Sequence, residues 1–489
     1  MAKSLSLTQP NSFQLSPNET LFCKSLVVGD TVAAYTATLA ILQAGGQVCW
    51  VQPGKLELAD YLNQGEAALA QRTRFNWRLG RRATPWETTV VLSQSQQRFW
   101  DQWQPQAALP TASTTGAKDD SQPSQSSDSK RAQLRQAIAP YLSNQQLILI
   151  TQADPIRVLY AEHHQQRRLY QVVFRDRRTQ QRFQIQAKLT LDATRSGILQ
   201  QQLTGTPRTF PTTALVLTTE HIQPKPSQAR GTFFEDAIAL IIAEPLAGGG
   251  PLRPISIPLR ALVPEQTEGF LCISQPGCET ALQPLFQLPQ AQWTLGEVAG
   301  HIAAKVVDAK DRLLDLLEQP TWRWQLQHQL IQHGIPLFAF DDVPLDDPDF
   351  EAIQMGAIAD VVRTMRLRDL SFRPEVPVTR SVVASALSRL PGQDLDVPTL
   401  TTGPAFQDVS RNHWAASAIQ RAIAIGVMTA EIPGSFAPSK VLSKRQLWEI
   451  LSSFYPAGGL PPFALEHAPA RRRDLSRGLY PILKARLKL

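Results

Sequence analysis

Residues 25–52 constrain this chain more than any other stretch. Leu26, Val27 and Val28 form a short apolar run ending at Gly29, the pattern of a strand buried on both faces. Val32 to Gln43 follows, rich in Ala and Leu, with Ala33, Ala37, Ala40, Ile41 and Ala44 at helical spacing. Small residues there let a helix lie close on a sheet. Gly45 and Gly46 stop the helix, and Val48 to Val51 reads as a second buried strand. Strand, tight turn, helix and strand within about 30 residues make a βαβ unit, so the expected fold class is α/β.

A dinucleotide fingerprint sits in the turn of such a unit. Counted back from Ala44 and Gly45, its three glycine positions fall on Gly29, Thr31 and Ala34. Gly29 keeps the tight turn. Ala34 is permitted, because that position only has to allow close helix–strand packing. Thr31 puts a branched side chain where a glycine lets the backbone approach a pyrophosphate. The residue that contacts a ribose should end the second strand, and Gln52 stands there; it can hydrogen-bond a hydroxyl but supplies no charge. Two readings stay open on this stretch: a dinucleotide site with altered chemistry, and a plain buried βαβ unit with no ligand.

A chain of 489 residues is long enough for two or three domains. Its 43% hydrophobic and 19% charged residues suit a soluble globular protein, and no apolar run reaches the roughly 18 residues of a membrane helix. Met1 to Glu19 is polar and lacks the apolar core of a signal peptide, which points to a cytoplasmic start. Cys23, Cys49, Cys272 and Cys278 show neither Cys-x-x-Cys spacing nor clustering with His, so neither a metal site nor a disulfide framework is expected. The net charge of +7 is uneven: the last 19 residues carry seven cations against Asp474, a net of +6. The remaining body is near neutral, which argues against a general nucleic-acid-binding surface and leaves a basic tail for an acidic one.

Leu56 to Leu69 reads as a helix. Arg72, Arg74, Arg78, Arg81 and Arg82, with Phe75 and Trp77 between them, read as a solvated face. Residues 104–130 are Ser, Gln, Thr, Asp and Pro with little apolar content, the composition of a disordered insertion. Arg131 to Leu142 is amphipathic and helical in pattern. Short strands at 147–150, 156–160, 169–174 and 183–191 read as an antiparallel meander, with His163 and His164 at a hairpin tip. The last strand runs into Asp192, Ala193, Thr194, Arg195, Ser196 and Gly197. Residues 213–257 are again strand-like, with a flexible break at Gly248–Gly250. Leu259 to Pro264 precedes a strand at 269–273. Thr294 and Glu297 have capping-box spacing and open a helix in which Gly296 and Gly300 would admit a phosphate or another backbone.

These pieces, in this order over roughly residues 24 to 310, resemble the FAD-dependent oxidoreductases of the glutathione-reductase-like class. In that family the meander ends in Asp-Ala-Thr-Gly-x-Gly, answered here by Asp192 to Gly197. A Tyr-Arg-x-Leu-Val-Pro segment is answered by Leu259 to Pro264, and a Gly-x-Ala-Ala-Gly helix by Gly296 to Gly300. The resemblance implies an FAD/NAD(P)-binding Rossmann-like domain over residues 20–318 with an inserted meander. It implies FAD as cofactor, lined by Gly29, Ala34, Asp192, Gly197, Gly296 and Gly300, and flavin-linked redox of a small organic substrate. Arg195, Thr31 and Gln52 depart from the family pattern, and the Gly-Gly segment that follows the acid has no counterpart in residues 53–65. Arg195 either pairs with a pyrophosphate or fills an empty cleft. The rival implication is a fold that has lost catalysis and serves as a scaffold. The sequence names no catalytic acid or base; His301, Cys272 and Cys278 lie in the right region, and none has a partner that sequence spacing reveals.

The C-terminal third repeats. Phe340, Asp342 and Val343 recur as Phe406, Asp408 and Val409; Ile353 as Ile419; Phe372 and Pro374 as Phe436 and Pro438; and Val378 to Arg380 as Leu442 to Lys444. The period is about 65 residues, each unit a helix, a turn, Phe-x-Pro and a second helix opened by Thr379 or Ser443. This resembles S-layer homology repeats, with units at 336–392 and 403–456 and a basic tail or partial third unit at 460–489. The second helices follow, and Leu475 to Leu483 resembles that of the third. The resemblance implies an all-α repeat domain in which Arg380, Arg445 and Arg477 bind an acidic envelope polymer. A helical module that packs on a protein partner is the alternative. It also sets a cell-envelope location against the cytoplasmic one. Residues 319–335 join the halves as a helix ending at Gly334, with Trp322, Trp324, Leu326 and Leu330 as packed core.

Overall fold

A computed structural model describes residues 20–54, 136–163, 166–204, 215–216, 237–243, 253–264, 266–273, 289–338, 340, 342–362, 371–392, 406–456 and 459–489. The expected helix at 56–69, the basic run from Arg72, the insertion at 104–130, His164, Gly248–Gly250 and Cys278 lie outside the described residues. The chain divides into two units. The first comprises residues up to 214 with 241–252 and 257–318; the second comprises 215–240, 253–256 and 319–489.

The chain begins with β1 (Thr20–Val28), α1 (Val32–Gln43) and β2 (Val48–Gln52), as the apolar pattern requires. A helical turn at 136–143 leads into β3 (Leu147–Thr151), β4 (Ala153–His163), β5 (Gln166–Asp176) and β6 (Arg182–Asp192). Then come α2 (Ile198–Thr204), β7 (Leu215–Val216), β8 (Ala237–Ala243), β9 (Arg253–Pro258), β10 (Thr267–Glu268) and β11 (Phe270–Cys272). Helices α3 (Pro289–Asp308) and α4 (Leu313–Leu317) follow. β7, β9 and β8 form a small sheet in that order.

The first unit is built on an eight-stranded sheet. β1 lies between β2 and β6, parallel to both, and β3 runs parallel on the far side of β2. The first half of β6 takes β5 as antiparallel neighbour and its second half takes β11 in parallel. The meander is therefore narrower than expected: β3 belongs to the parallel layer, and only the β4–β5 hairpin and the β5–β6 pair are antiparallel. An uninterrupted Leu-Ile-Leu-Ile run suits a strand covered on both faces, which a parallel layer provides. β5 and β6 instead bury Leu169, Val172, Phe174, Phe183 and Ile185 on one face, where the Phe174 and Phe183 rings stack at 5.4 Å. Val28, Gln52, Asp192 and Cys272 end neighbouring parallel strands, which puts the loops after them on one carboxyl edge.

α3 lies against α1. It starts at Pro289, a residue suited to a helix's first turn, so Thr294 and Glu297 are buried interior residues rather than a cap. Of the two neighbours expected for Gly296 and Gly300, the structure supplies backbone. A Cβ on Gly296 would stand 2.1 Å from Thr36 Oγ1 and 2.3 Å from the Ala33 carbonyl; one on Gly300 would stand 2.5 Å from the Ala37 carbonyl.

The second unit contains α5 (Pro320–Gln332), α6 (Phe350–Ile358), α7 (Arg380–Leu387), α8 (Ala416–Ala424), α9 (Lys444–Ser452) and α10 (Arg472–Leu487). α5 ends at Gly334, which takes φ +74°. The repeat is structural as well as sequential. The Asp342 carboxylate accepts the N–H groups of Phe372 and Arg373 at 2.7 and 2.6 Å, and Asp408 accepts those of Phe436 and Ala437 at 2.9 and 2.6 Å. Arg373 and Ala437 share a left-handed backbone, at φ +59° and +57°.

Just before α7, α9 and α10 the chain segments close a ring. Val378 N–H donates to the Ala470 carbonyl at 2.8 Å, Ala470 N–H to Leu442 at 2.8 Å, and Leu442 N–H to Val378 at 3.1 Å. A second tier runs from Arg380 to Lys440, Lys444 to Ala468 and Arg472 to Val376. This is quasi-threefold order. Its members are two full repeats and a third that keeps only its second helix, α10. Arg380, Lys444 and Arg472 occupy equivalent first-turn positions.

Candidate functional site

The carboxyl edge of the first unit is assembled by backbone. Gly29 has φ +147°, and a Cβ there would stand 2.2 Å from the Ala193 carbonyl, so only glycine fits. Its N–H donates to Val51 at 2.9 Å, and its carbonyl accepts the Trp50 indole N–H at 2.9 Å. Ala193 N–H donates to Val28 at 2.8 Å. The turns after β1 and β6 thus touch directly.

Thr31 joins them. Its hydroxyl donates to the Ala193 carbonyl at 2.8 Å and accepts the Ala34 N–H at 3.3 Å, making it the N-cap of α1. The branched side chain at the second fingerprint position is therefore a cap and a clamp. Tyr35 N–H bonds to the Thr31 carbonyl at 3.2 Å. A helix start leaves four N–H groups over, and those of Val32 and Ala33 find no acceptor among the described residues. Ala34 is fully buried in the helix's first turn.

Gln52 ends β2 and is 1% exposed, and its Nε2 has no hydrogen-bond partner among the described residues. A buried amide N–H without an acceptor costs about 1–3 kcal/mol. That group stands where the ribose contact of a dinucleotide site is expected. It provides two donors and no charge.

Asp192 has a different employment. Fully buried, it accepts Thr194 N–H at 3.0 Å, the Thr194 hydroxyl at 2.6 Å and Gln200 N–H at 2.9 Å. Burial raises its pKa above the ordinary carboxylate value, against the lowering effect of those donors. The Thr194 hydroxyl accepts Ile198 N–H at 2.9 Å, and Gly197 turns the chain at φ +64°, so Asp192 and Gly197 shape the entry to α2. Arg195, half exposed, holds its Nε 3.9 Å from Asp30 Oδ1. Cys272 donates its thiol to Gln200 Oε1 at 2.8 Å, and His301 is buried on α3. Gly29, Thr31, Ala34, Gln52, Asp192, Arg195 and Gly197 therefore meet at or beside one edge, whereas Gly296 and Gly300 are occupied by the contact with α1.

In the second unit the three arginines differ. Arg380 is only 7% exposed; its Nε donates to the Phe436 carbonyl at 2.8 Å and its guanidinium lies 4.6 Å from the Phe436 ring centroid. Burial lowers its pKa against the opposing influence of Glu431. Arg477 grips Asp349 through two bonds of 2.7 Å. Arg445 is exposed. The third unit's helix-start arginine is Arg472, not Arg477: its Nε donates to Phe372 at 2.7 Å, and it covers the Phe372 ring at 4.6 Å, as Arg380 does Phe436. The pairing of Arg380 with Lys444 in the repeat register was the signal that could have located it. Among the described residues, no three His, Cys, Asp or Glu side chains form a metal-binding group and no helix is long and apolar enough to cross a membrane.

No known protein family matches the chain, and no curated protein matches it. Solved structures similar to it include L-proline dehydrogenase from P. horikoshii, at 12% identity and TM-score 0.19 over 38% of this chain and 25% of that one. THI4 from Thermovibrio ammonificans gives 13% identity and 0.27 over 59% and 90%. A geranylgeranyl bacteriochlorophyll reductase-like protein from Thermoplasma acidophilum gives 9% and 0.27 over 77% and 98%. The chain thus spans a quarter of the first and nearly all of the other two.

Proposed function

We propose that the first unit binds a flavin dinucleotide of the FAD type at the carboxyl edge of its parallel strands and supports flavin-linked redox of a small organic substrate. The observation that supports this most is the Gln52 amide, buried at the end of β2 with Nε2 unsatisfied. A ribose hydroxyl oxygen is an acceptor of the kind that amide lacks. The N–H groups of Val32 and Ala33 at the start of α1, without an acceptor among the described residues, favour an anion such as a pyrophosphate. Arg195 supplies positive charge at the rim, and Asp30 holds it there. Thr31 takes the space of a glycine and keeps the helix start farther from its ligand than the family pattern does, so retention is weaker. A bound flavin would supply the hydride-transfer chemistry; the residues named here bind and orient it.

A scaffold role is the second reading. It is favoured by the Thr31 clamp on Ala193 and by the Asp192 carboxylate, which is fully engaged in holding α2. The visible absorption spectrum of the purified full chain, with and without added FAD, separates the two. The expected result is a flavin band that survives gel filtration after loading, and a Kd raised about tenfold by Gln52→Leu, the loss of one hydrogen bond. A chain that takes up no flavin at all would leave the scaffold.

A further inference from the structure

The carboxyl edge of the first unit offers groups to one half of a dinucleotide. Gln52 Nε2, on a side chain 1% exposed, has no acceptor among the described residues, and the N–H groups of Val32 and Ala33 have none either. All three belong to the β1–α1–β2 unit. A single βαβ unit accounts for one nucleotide: its second strand ends at the ribose, and its helix start faces the phosphates. The amide and the two N–H groups therefore match a nucleoside diphosphate.

The other residues expected to line a dinucleotide are used by the protein itself. Asp192 takes the Thr194 N–H and hydroxyl on Oδ1 and the Gln200 N–H on Oδ2, and the Leu199 N–H bonds to it as well. A carboxylate has about four lone-pair sites, so none is left for a ligand hydroxyl. Gly296 and Gly300 lie so close to α1 that not even a methyl group fits. The turns after β1 and β6 are tied together twice, by Thr31 to the Ala193 carbonyl at 2.8 Å and by Asp30 to Arg195 at 3.9 Å. Asp30 also reaches the turn after β2: a Cβ on Gly54 would stand 2.5 Å from its Oδ2.

We infer that this site recognises the nucleoside diphosphate half of its ligand, and that a free nucleoside diphosphate such as ADP takes the place of FAD there. The inference rests on the dinucleotide reading of this edge. The flavin half of a bound FAD adds little to the contacts that hold it, so ADP and FAD bind with similar affinity and exclude each other. A nucleoside diphosphate thereby controls flavin loading by mass action. At equal affinity and saturation, ADP in tenfold excess leaves about a tenth of the sites with flavin.

Equilibrium dialysis of FAD against the full chain, read by flavin absorbance, tests this with ADP and FMN as competitors; calorimetry measures ADP alone. ADP should displace FAD with a Kd within about tenfold of FAD's own, and FMN should displace none where ADP displaces half. Gln52→Leu should weaken FAD and ADP by the same factor, about tenfold, because both use one amide. FAD held more than about tenfold tighter than ADP, displacement by FMN equal to that by ADP, or a Gln52→Leu loss confined to one ligand would overturn the inference. Failure of the flavin reading looks different. Binding of ADP without any binding of FAD would remove the flavin and keep the nucleotide seat, and binding of neither would overturn both.

Discussion

Gln52 and Thr31 are the two residues at which this chain parts from a plain dinucleotide turn, and they part from it in different ways. Gln52 leaves a buried donor unsatisfied, whereas Thr31 satisfies two groups at once. Thr31→Val keeps the shape and removes both bonds. Loss of the N-cap should lower unfolding stability by about 1 kcal/mol, read as a shifted urea midpoint at constant slope. If that shift is absent, the cap is not what holds α1 to the β6 turn. Thr31→Gly combined with Gln52→Glu should lower stability as well, yet raise FAD retention after gel filtration, because it restores close backbone approach and a charged ribose contact. No gain in bound flavin would mean that the site is not an altered version of that fingerprint.

At the scale of elements, two small residues on α3 decide how close α1 can come. Gly296→Ala would drive a methyl group into the Ala33 carbonyl, and the helices must separate. The expected cost is about 1–3 kcal/mol in the denaturation midpoint. Gly45→Ala, where nothing lies within 4 Å but φ is +80°, should cost about 1 kcal/mol for the backbone alone. Equal costs would argue against the packing account. The α1 helix and its strands were readable from local periodicity, and Gly29 from the turn it had to make. The partner of Gly296 was not readable, because small residues at helical spacing say that something comes close without saying what. β3 misleads for a related reason: an apolar run of four does not tell the direction of its neighbour. The repeats were readable as motifs. The ring they close was not, since it is made by main-chain groups that carry no side-chain signature.

Another element-scale consequence concerns pH. His328 on α5 shares a hydrogen bond of 2.7 Å with the Tyr480 hydroxyl on α10, which donates to Glu351 on α6 at 2.6 Å. Burial lowers the His328 pKa from 6.5; Glu351 opposes this and Lys484 adds to it. The folded chain therefore resists protonation that the unfolded chain accepts, so the stabilising contribution is present above pH 6.5 and lost as pH falls through the lower folded value. The melting temperature should fall below pH 6.5, and His328→Gln should flatten that slope. A residual slope is expected from His333, whose pKa burial also lowers. An unchanged slope in the variant would show that this histidine does not set it.

At the scale of the whole molecule, the second unit is held by relations among its repeats more than within any one of them. Each helix-start cation reaches the next member: Arg380 on α7 lies on Phe436, and Arg472 on α10 lies on Phe372. Lys444, on α9, reaches Glu466 instead, because the third member has Ala464 where the others have phenylalanine and offers no ring. The ring is thus closed by two strong joints and one weaker, exposed one. A closed ring opens cooperatively, since breaking any joint frees the segments on both sides. Hydrogen exchange tests this at Val378, Leu442 and Ala470, whose N–H groups form the first tier. The three amides should share one opening free energy. Arg380→Ala and Arg472→Ala each remove a charge-assisted bond and a cation–ring contact, about 2–3 kcal/mol together, and should reduce protection at all three sites alike. If Arg380→Ala exposed only the amides nearest Phe436, the repeats would open one by one, and the ring would be a geometric coincidence rather than the structure that holds them.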